Sequence, residues 1–152
     1  LKQARLAELA SKPGFRFVRM NLADAVAMRG LFADEHFAQV IHLGAQAGVR
    51  YSLTNPQVYI DSNVTGTLNV LEGCRHHDVR HLVFASTSSV YGMNAHLPFS
   101  PHDGANHPVS IYSSTKRAGE LLCHNYAALF GLPVTVLLRV HRCAPTRPNL
   151  EA

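Results

Sequence analysis

A tyrosine and a lysine lie four residues apart in the stretch SIYSSTKRAGE, residues 110–120. On a helix, Tyr112 and Lys116 would share one face about one turn apart, so that an ammonium group lies beside a phenol. A free phenol has a pKa of about 10, so a phenol that acts as a base near neutral pH needs a cation beside it. Taken alone, the pair is ordinary exposed helix surface in most proteins, so the rest of the chain must decide whether Tyr112 transfers protons.

The segments around this pair alternate between strand and helix patterns. Short apolar runs predict strands at 15–20, 39–44, 81–86 and 133–139. Amphipathic patterns predict helices at 1–11, 23–35, 54–78 and 108–131. The third helix has Thr54 or Asn55 as its expected cap and an expected apolar stripe of Ile60, Val64, Leu68 and Leu71. This order predicts an α/β fold, a doubly wound parallel sheet covered on both faces by helices.

Polar stretches follow the predicted strands. They are NLAD at 21–24, GAQAGVR at 44–50 and STSSVYG at 86–92. Ligands of such sheets bind beyond the carboxyl ends of the strands, so these three stretches are the expected places for chemistry.

Composition excludes several classes of function. The 152 residues are 47% hydrophobic, enough for one buried core, and no apolar run approaches the length of a membrane span. The charge of +4 is scattered, which argues against a nucleic-acid partner. Ten histidines show no paired-ligand spacing, so no metal site is expected. Three cysteines without a CxxC motif favour reduced thiols and a cytoplasmic protein.

Four motifs, taken together, resemble a known family. They are VIHLGAQAGVRYS, DSNVTGTLNVLEGCR, FASTSSVYG and the YxxxK helix, whose Tyr112 follows Thr87 by 25 positions. In this order they resemble the extended short-chain dehydrogenase/reductase family, and within it the NAD-dependent nucleotide-sugar epimerases, most closely the UDP-glucuronate 4-epimerases. The resemblance runs to about Arg139 and implies a Rossmann-like fold, NAD as cofactor and a UDP-sugar as substrate.

The resemblance implies catalytic roles for three residues. Tyr112 would be the acid/base at the sugar 4-hydroxyl, Lys116 would be its cationic partner and would also bond the nicotinamide ribose, and Thr87 would bond the reacting sugar oxygen. For Thr87 the alternative is a threonine that satisfies backbone groups at a strand end.

The resemblance also implies cofactor contacts, at Asn21, Leu22, Leu43, Gly44, Ala45, Asn63, Ser86, Tyr112 and Lys116. Asn21 stands where the family has an aspartate, so a charge is missing there. A tight turn is the alternative at Leu43–Ala45, and a solvent-facing side chain is the alternative for Asn63.

Ser88 and Ser89 distinguish the subfamilies, because dehydratases and decarboxylases of the family have acidic residues at these positions. Hydroxyls supply hydrogen bonds but no general acid of suitable pKa, which favours epimerisation. With Arg50, the two serines are expected to contact a sugar carboxylate, although Arg50 is equally compatible with a plain surface charge.

The glycine-rich GxxGxxG turn that holds the pyrophosphate in this family does not occur in these 152 residues. We therefore expect the middle of a larger protein, with residues 1–140 from the NAD-binding domain and 141–152 as the start of a substrate region or a divergent tail. A truncated remnant unable to hold NAD and an epimerase for a neutral UDP-sugar are the alternatives. Family habit further implies a homodimer through the helices near 55–76 and 108–130.

Overall fold

A computed structural model describes residues 2–92 and 106–138 of the chain. Within these residues three strands form one parallel sheet in the order β1-β2-β3. The strands are β1 (Gln39–His42), β2 (His81–Ala85) and β3 (Val134–Leu137). Val40 lies opposite Leu82, and Leu82 lies opposite Val134. The predicted α/β, Rossmann-like parallel sheet is therefore confirmed for three of the four predicted strands.

Helices precede the first strand and connect it to the strands that follow. They are α1 (Lys2–Ala10), α2 (Ala25–Glu35), α3 (Val49–Thr54), α4 (Pro56–Tyr59), α5 (Gly66–His76) and α6 (Ile111–Phe130). A π-helical turn, Ile60–Thr65, joins α4 to α5, and a short 3₁₀ turn, Ser88–Tyr91, follows β2.

Capping explains where α6 begins and ends. The Ser110 hydroxyl accepts from the backbone N–H of Ser113, and the Ser113 hydroxyl accepts from the backbone N–H of Ser110. This reciprocal pair satisfies donors that the first helical turn leaves open. Gly131 ends the helix in the left-handed conformation with φ of 67°, which glycine adopts without a Cβ penalty. The helix over 111–130 matches its sequence prediction.

Helices α2, α5 and α6 pack against one face of the sheet. Their shared core consists of Met28, Phe32, Val70, Leu71, Cys74, Val79, Leu82, Phe84, Cys123, Tyr126 and Leu132. On the opposite face Ile41 and Leu137 are 67% and 52% exposed. In the described part of the chain, helices therefore cover one face of the sheet rather than the expected two.

The predicted strand at 15–20 is not a strand in this structure. The segment has no regular secondary structure, and Phe17 is 56% exposed. A strand requires a neighbour that supplies N–H and C=O partners, and within residues 2–92 and 106–138 no strand is hydrogen-bonded to this segment. Its alternating apolar pattern is therefore left without the pairing that would make it a strand.

The helix predicted over 54–78 is confirmed from Pro56 to His76, but its middle, Ile60–Thr65, is a π-helical turn and its N-terminus lacks the expected capping bond. Pro56 stands in the first turn of α4 and restricts Asn55, so the chain breaks there and a separate helix, α3, precedes the break. Neither expected cap bonds the helix N-terminus: Asn55 makes no capping bond, and the Thr54 hydroxyl bonds back to Tyr51 O.

The π-helical turn changes which residues of this segment face the core. A π turn holds an extra residue, which rotates the following side chains relative to a regular helix. Leu71 is fully buried, but Ile60 and Leu68 of the expected stripe are 42% and 38% exposed.

Candidate active site

Leu22 fits against the carboxyl end of β1 and the start of α5. Its carbonyl oxygen accepts a hydrogen bond of 2.8 Å from Asn69 Nδ2. A Cβ at Gly44 would lie 2.6 Å from Leu22 Cδ1, and a Cβ at Gly66 would lie 2.9 Å from Leu22 Cβ. Leu22 and Gly44, both predicted cofactor contacts, therefore lie next to each other. Leu22 can approach so closely because Gly44 and Gly66 have no Cβ. The exposed Asn21 side chain accepts from Ala23 N at 3.0 Å.

Leu43 and Ala45 are exposed on the loop beyond β1, and Leu43 is 70% exposed. Both residues are accessible to a ligand, and their contact with a cofactor stays a prediction. The preceding residue, His42, is buried and bonds Thr67 Oγ1 through Nε2 at 3.0 Å. Burial, together with the positive charge of Lys116, lowers the pKa of His42 to about 4. His42 is thus neutral at neutral pH.

Asn63 links the loop after β1 to α6. Its Oδ1 accepts from Gln46 N at 2.7 Å, and its Nδ2 donates to Gln46 O at 3.1 Å and to Thr115 Oγ1 at 3.0 Å. The Thr115 hydroxyl in turn donates to the carbonyl of Tyr112 at 2.9 Å. Asn63 is 1% exposed, so the solvent-facing alternative is wrong. The residue lies in the π turn, a feature that often marks functional sites.

Tyr112 and Lys116 occupy the first two turns of α6. The Tyr112 ring meets the Tyr59 ring edge to face, with centroids 6.1 Å apart. Lys116 is only 4% exposed, and its Nζ lies 4.2 Å from the centroid of the Phe84 ring. Burial at this level excludes the ordinary exposed helix surface as an account of Lys116. The ring face attracts the ammonium and partly replaces its lost hydration.

The surroundings of Lys116 have opposing effects on its pKa. Burial lowers its pKa from 10.5 to about 8, and the acidic groups of Cys123 and Glu120 act in the opposite direction. Lys116 forms no salt bridge with a carboxylate in the described part of the chain. It is therefore a cation near neutral pH whose donors are not committed to an ion pair.

The hydroxyls that follow β2 bond one another and α6. Thr87 Oγ1 accepts from Ser89 N and donates to Ser89 Oγ, both at 3.3 Å. The Thr87 hydroxyl thus satisfies a backbone N–H just after the strand, which is the alternative to a catalytic role. Its catalytic role stays a prediction. The Ser86 hydroxyl donates to the buried carboxylate of Glu120. A cofactor contact through Ser86 is likewise untested.

Ser88 and Ser89 face the N-terminus of α6 across a cleft of about 310 Å³. The cleft is lined by Val49, Ser88, Ser89, Gly92, Val109, Ser110 and Ser113. Arg50 follows Val49 on α3 and is exposed, without a salt bridge to any carboxylate that the structure describes. Val49 lines this cleft and Arg50 does not, so the contact of Arg50 with a sugar carboxylate stays a prediction.

Sequence reasoning missed three residues of the site. They are His42, Phe84 and Glu120, all of which contact Lys116 or its partners. Glu120 had a detectable signal, because it stands one helical turn after Lys116 on the same face. His42 and Phe84 had none, since buried strand residues at such positions usually indicate only core packing.

Residues 2–151 match the family model described as the NAD dependent epimerase/dehydratase family. The chain belongs to this family. NAD is the family's cofactor, and the described residues fit it: a buried ammonium without an ion pair at Lys116 and exposed residues beyond β1 at 43–45. Residues 93–105 and 139–152, which include Arg139 and the tail after it, lie outside the described structure.

Relatives place the chain near sugar-nucleotide epimerases. It is 55% identical to an uncharacterized 37.6 kDa protein of Escherichia coli O111:H-, over 90% of this chain and 41% of that protein. It is 46% identical to UDP-glucuronate 4-epimerase 1 of Arabidopsis thaliana, over 90% of this chain and 32% of the relative. The chain thus spans well under half the length of these relatives.

Solved structures show the same fold. The crystal structure of UDP-glucuronic acid 4-epimerase from Bacillus cereus, in complex with UDP-glucuronic acid and NAD, aligns with a TM-score of 0.80 at 33% identity. The alignment covers 90% of this chain and 42% of that one.

Two kinds of feature do not occur in residues 2–92 and 106–138. None of the helices there is sufficiently long and apolar to cross a membrane. Nor do those residues contain a group of three or more His, Cys, Asp or Glu side chains arranged to hold a metal ion.

Proposed function

We propose that this chain carries the catalytic part of a nucleotide-sugar 4-epimerase that interconverts UDP-glucuronate and UDP-galacturonate. The observation that supports this most is the environment of Lys116. It is buried one turn after Tyr112 with no ion pair among the described residues, an arrangement that structural stability alone does not explain. A buried cation with free donors suits a bound ligand and a neighbouring proton-transfer group.

In the proposed reaction Tyr112 takes the proton of the sugar 4-hydroxyl and later returns it. The positive charge of Lys116 favours the ionised phenol while the proton is held. Thr87 bonds the reacting sugar oxygen and orients it. Bound NAD supplies the chemistry of accepting the C4 hydride and giving it back on the opposite face of the sugar.

The rigid framework below these residues sets their positions. Asn63 fixes the backbone of Gln46 and, through Thr115, the first turn of α6 at Tyr112. Sub-ångström positioning matters because hydride and proton transfer both require close alignment of the reacting atoms.

The choice of an acidic sugar rests on Ser88, Ser89 and Arg50. Two hydroxyls in a cleft and a cation on the adjacent helix would bond a carboxylate. The absence of an acidic side chain directly after Thr87 supports epimerisation rather than elimination. An epimerase for a neutral UDP-sugar lacks a role for Arg50, so the two proposals differ in an observable way.

The test uses the polypeptide translated from the complete reading frame that contains this chain. The protein is incubated separately with UDP-glucuronate and UDP-glucose, and the products are separated by chromatography. Conversion of UDP-glucuronate to UDP-galacturonate supports the proposal. Conversion of UDP-glucose alone would replace it with the neutral-sugar alternative. No conversion and no bound NAD would identify a non-catalytic remnant.

A second experiment tests the carboxylate contacts. We expect Ser88→Ala with Ser89→Ala to reduce the preference for UDP-glucuronate over UDP-glucose by roughly tenfold, because two hydrogen bonds to a charged group are lost. An unchanged ratio of kcat/KM between the two sugars would refute the carboxylate assignment and leave the epimerase proposal standing.

We further propose that the complete protein is a cytoplasmic homodimer. Helices α5 and α6 lie side by side, and Leu68, Leu121 and Leu129 on them are 38%, 51% and 73% exposed. These apolar side chains suit the homodimer expected through the helices near 55–76 and 108–130, and light scattering of the complete protein tests it. Buried free thiols at Cys74 and Cys123 suit a reducing cytoplasm.

A further inference from the structure

A buried carboxylate lies one helical turn beyond Lys116. Glu120 is 7% exposed, accepts a hydrogen bond from the Ser86 hydroxyl and pairs with Arg117 Nη1 at 2.6 Å. Lys116 and Glu120 share a face of α6, yet the described residues show no salt bridge between them. The mechanism proposed above gives Glu120 no role.

The absence of this ion pair requires an explanation. A buried ammonium and a buried carboxylate one turn apart would normally meet, since neither is well hydrated. Here the carboxylate is occupied on one side by Ser86 and on the other by Arg117, while the ammonium lies over the Phe84 ring. Each charge is thus held by a different set of partners.

Other ionisable groups near Lys116 are few among the described residues. On α6 they are Tyr112, Arg117, Glu120 and Cys123; β1 contributes His42, which is neutral, and α5 contributes Cys74 beside Cys123. Burial raises the pKa of Cys123 to about 11, so its thiol is uncharged near neutral pH. Glu120 is therefore the carboxylate that acts on the charge of Lys116.

We propose that Ser86 and Arg117 hold the Glu120 carboxylate apart from Lys116, so that Glu120 supports the ammonium charge from a distance and leaves its hydrogen-bond donors for the ligand. This inference rests on the proposed function for the identity of the ligand. Glu120 is then a positioning residue, and Ser86 acts through it. A direct Lys116–Glu120 pair would keep the ammonium charged but would occupy its hydrogen-bond donors. Loss of Glu120 would leave those donors free but would make the ammonium easier to deprotonate.

The test is a titration of Lys116 by NMR in protein labelled with ¹³C at the lysine ε-carbons. This chain has lysines only at positions 2, 12 and 116, and the Lys116→Arg variant assigns the resonance in the complete protein. We expect Glu120→Gln, which keeps an oxygen for Ser86 but removes the charge, to move the midpoint to lower pH by roughly half a unit.

Ser86→Ala supplies the diagnostic comparison. It frees the carboxylate to pair with Lys116, so the midpoint is expected to move to higher pH. In the Glu120→Gln background the Ser86→Ala change should leave the midpoint where it is, because no carboxylate remains to be released. Glu72→Gln is the matched control, since Glu72 bonds Tyr126 and Arg75 away from Lys116 and should cause no shift.

Two results would overturn the inference. One is an unchanged Lys116 midpoint in Glu120→Gln, and the other is an equal Ser86→Ala effect with and without the Glu120 carboxylate. The titration needs no substrate, so a clear shift together with absent UDP-sugar turnover would refute the proposed function and leave the electrostatic coupling intact.

Discussion

Asn63 pairs with the backbone of Gln46 through both atoms of its side-chain amide: Oδ1 accepts from Gln46 N at 2.7 Å, and Nδ2 donates to Gln46 O at 3.1 Å. The same Nδ2 reaches Thr115 on α6 at 3.0 Å. One buried side chain therefore replaces the hydrogen bonds that the loop after β1 lacks, and it ties that loop to the helix that bears Tyr112 and Lys116.

Substitution Asn63→Ala should lower the free energy of unfolding by about 2 to 3 kcal/mol, because it leaves a backbone donor, a backbone acceptor and a hydroxyl without their partner. Asn69→Ala is the control on the neighbouring helix, where one bond to Leu22 O is lost and about 1 kcal/mol is expected. Urea unfolding of the complete protein measures both. Equal losses in the two variants would contradict the linking role of Asn63.

Substitution Tyr112→Phe should reduce kcat by about 10²- to 10⁴-fold, because only the proton-transferring hydroxyl is removed. The KM for the UDP-sugar should change little. Tyr51→Phe is the control, since Tyr51 is 47% exposed and packs near the same Tyr59 ring. Turnover of Tyr112→Phe at the parent rate would remove Tyr112 from the mechanism.

Lys116 makes stability depend on pH. Burial lowers its pKa from 10.5 to about 8, so between these values the unfolded chain keeps a proton that the folded chain has released. Stability from this group therefore rises as pH increases through that window, and the cost of burying the charge is fully present below about pH 8.

The expected measurement compares the parent protein with Lys116→Met at several pH values. Their difference in free energy of unfolding should change by on the order of 3 kcal/mol in favour of the parent between the lower and upper ends of the window. Other titrating groups are common to both proteins and cancel. A difference that does not vary with pH would show that Lys116 is not buried as described.

Local patterns in the sequence predicted the elements that carry the proposed chemistry. Helix α6 has a serine cap, a continuous amphipathic pattern and a terminal glycine, so its position and the shared face of Tyr112 and Lys116 could be inferred. Strands β1, β2 and β3 were each predicted one to three residues too long, which is the usual uncertainty at element ends.

Non-local interactions could not be predicted in the same way. The apolar alternation at 15–20 indicates a strand, but a strand exists only where a neighbour supplies hydrogen bonds. Periodicity does not reveal the role of Asn63, because its side chain bonds Gln46 and Thr115 on α6 rather than its own helix. For Glu120 the spacing from Lys116 is visible in the sequence, but its bond to Ser86, 34 residues away, is not.

The thiols of Cys74 and Cys123 should resist alkylation in the folded protein. Both are 1% exposed, and burial raises their pKa values to about 12 and about 11. Because the thiolate is the reactive form, iodoacetamide at pH 8 should label them only after unfolding. The Cys143→Ser variant removes the third cysteine of this chain, and mass spectrometry of its peptides reads the result. Rapid labelling of either buried thiol in folded protein would contradict their placement in the core.

Gly73 on α5 packs closely against Phe32 on α2. A Cβ at this position would lie 2.5 Å from Cδ2 of the buried Phe32 ring, which cannot move without disturbing the core. Gly73→Ala should therefore destabilise the protein by about 1 to 3 kcal/mol. Gly30→Ala on α2 is the matched control, because a Cβ there meets no atom within 4 Å and the better helix former should stabilise by up to about 1 kcal/mol. Thermal unfolding should thus move in opposite directions for the two substitutions, and a stabilising Gly73→Ala would show that α2 and α5 do not pack at this distance.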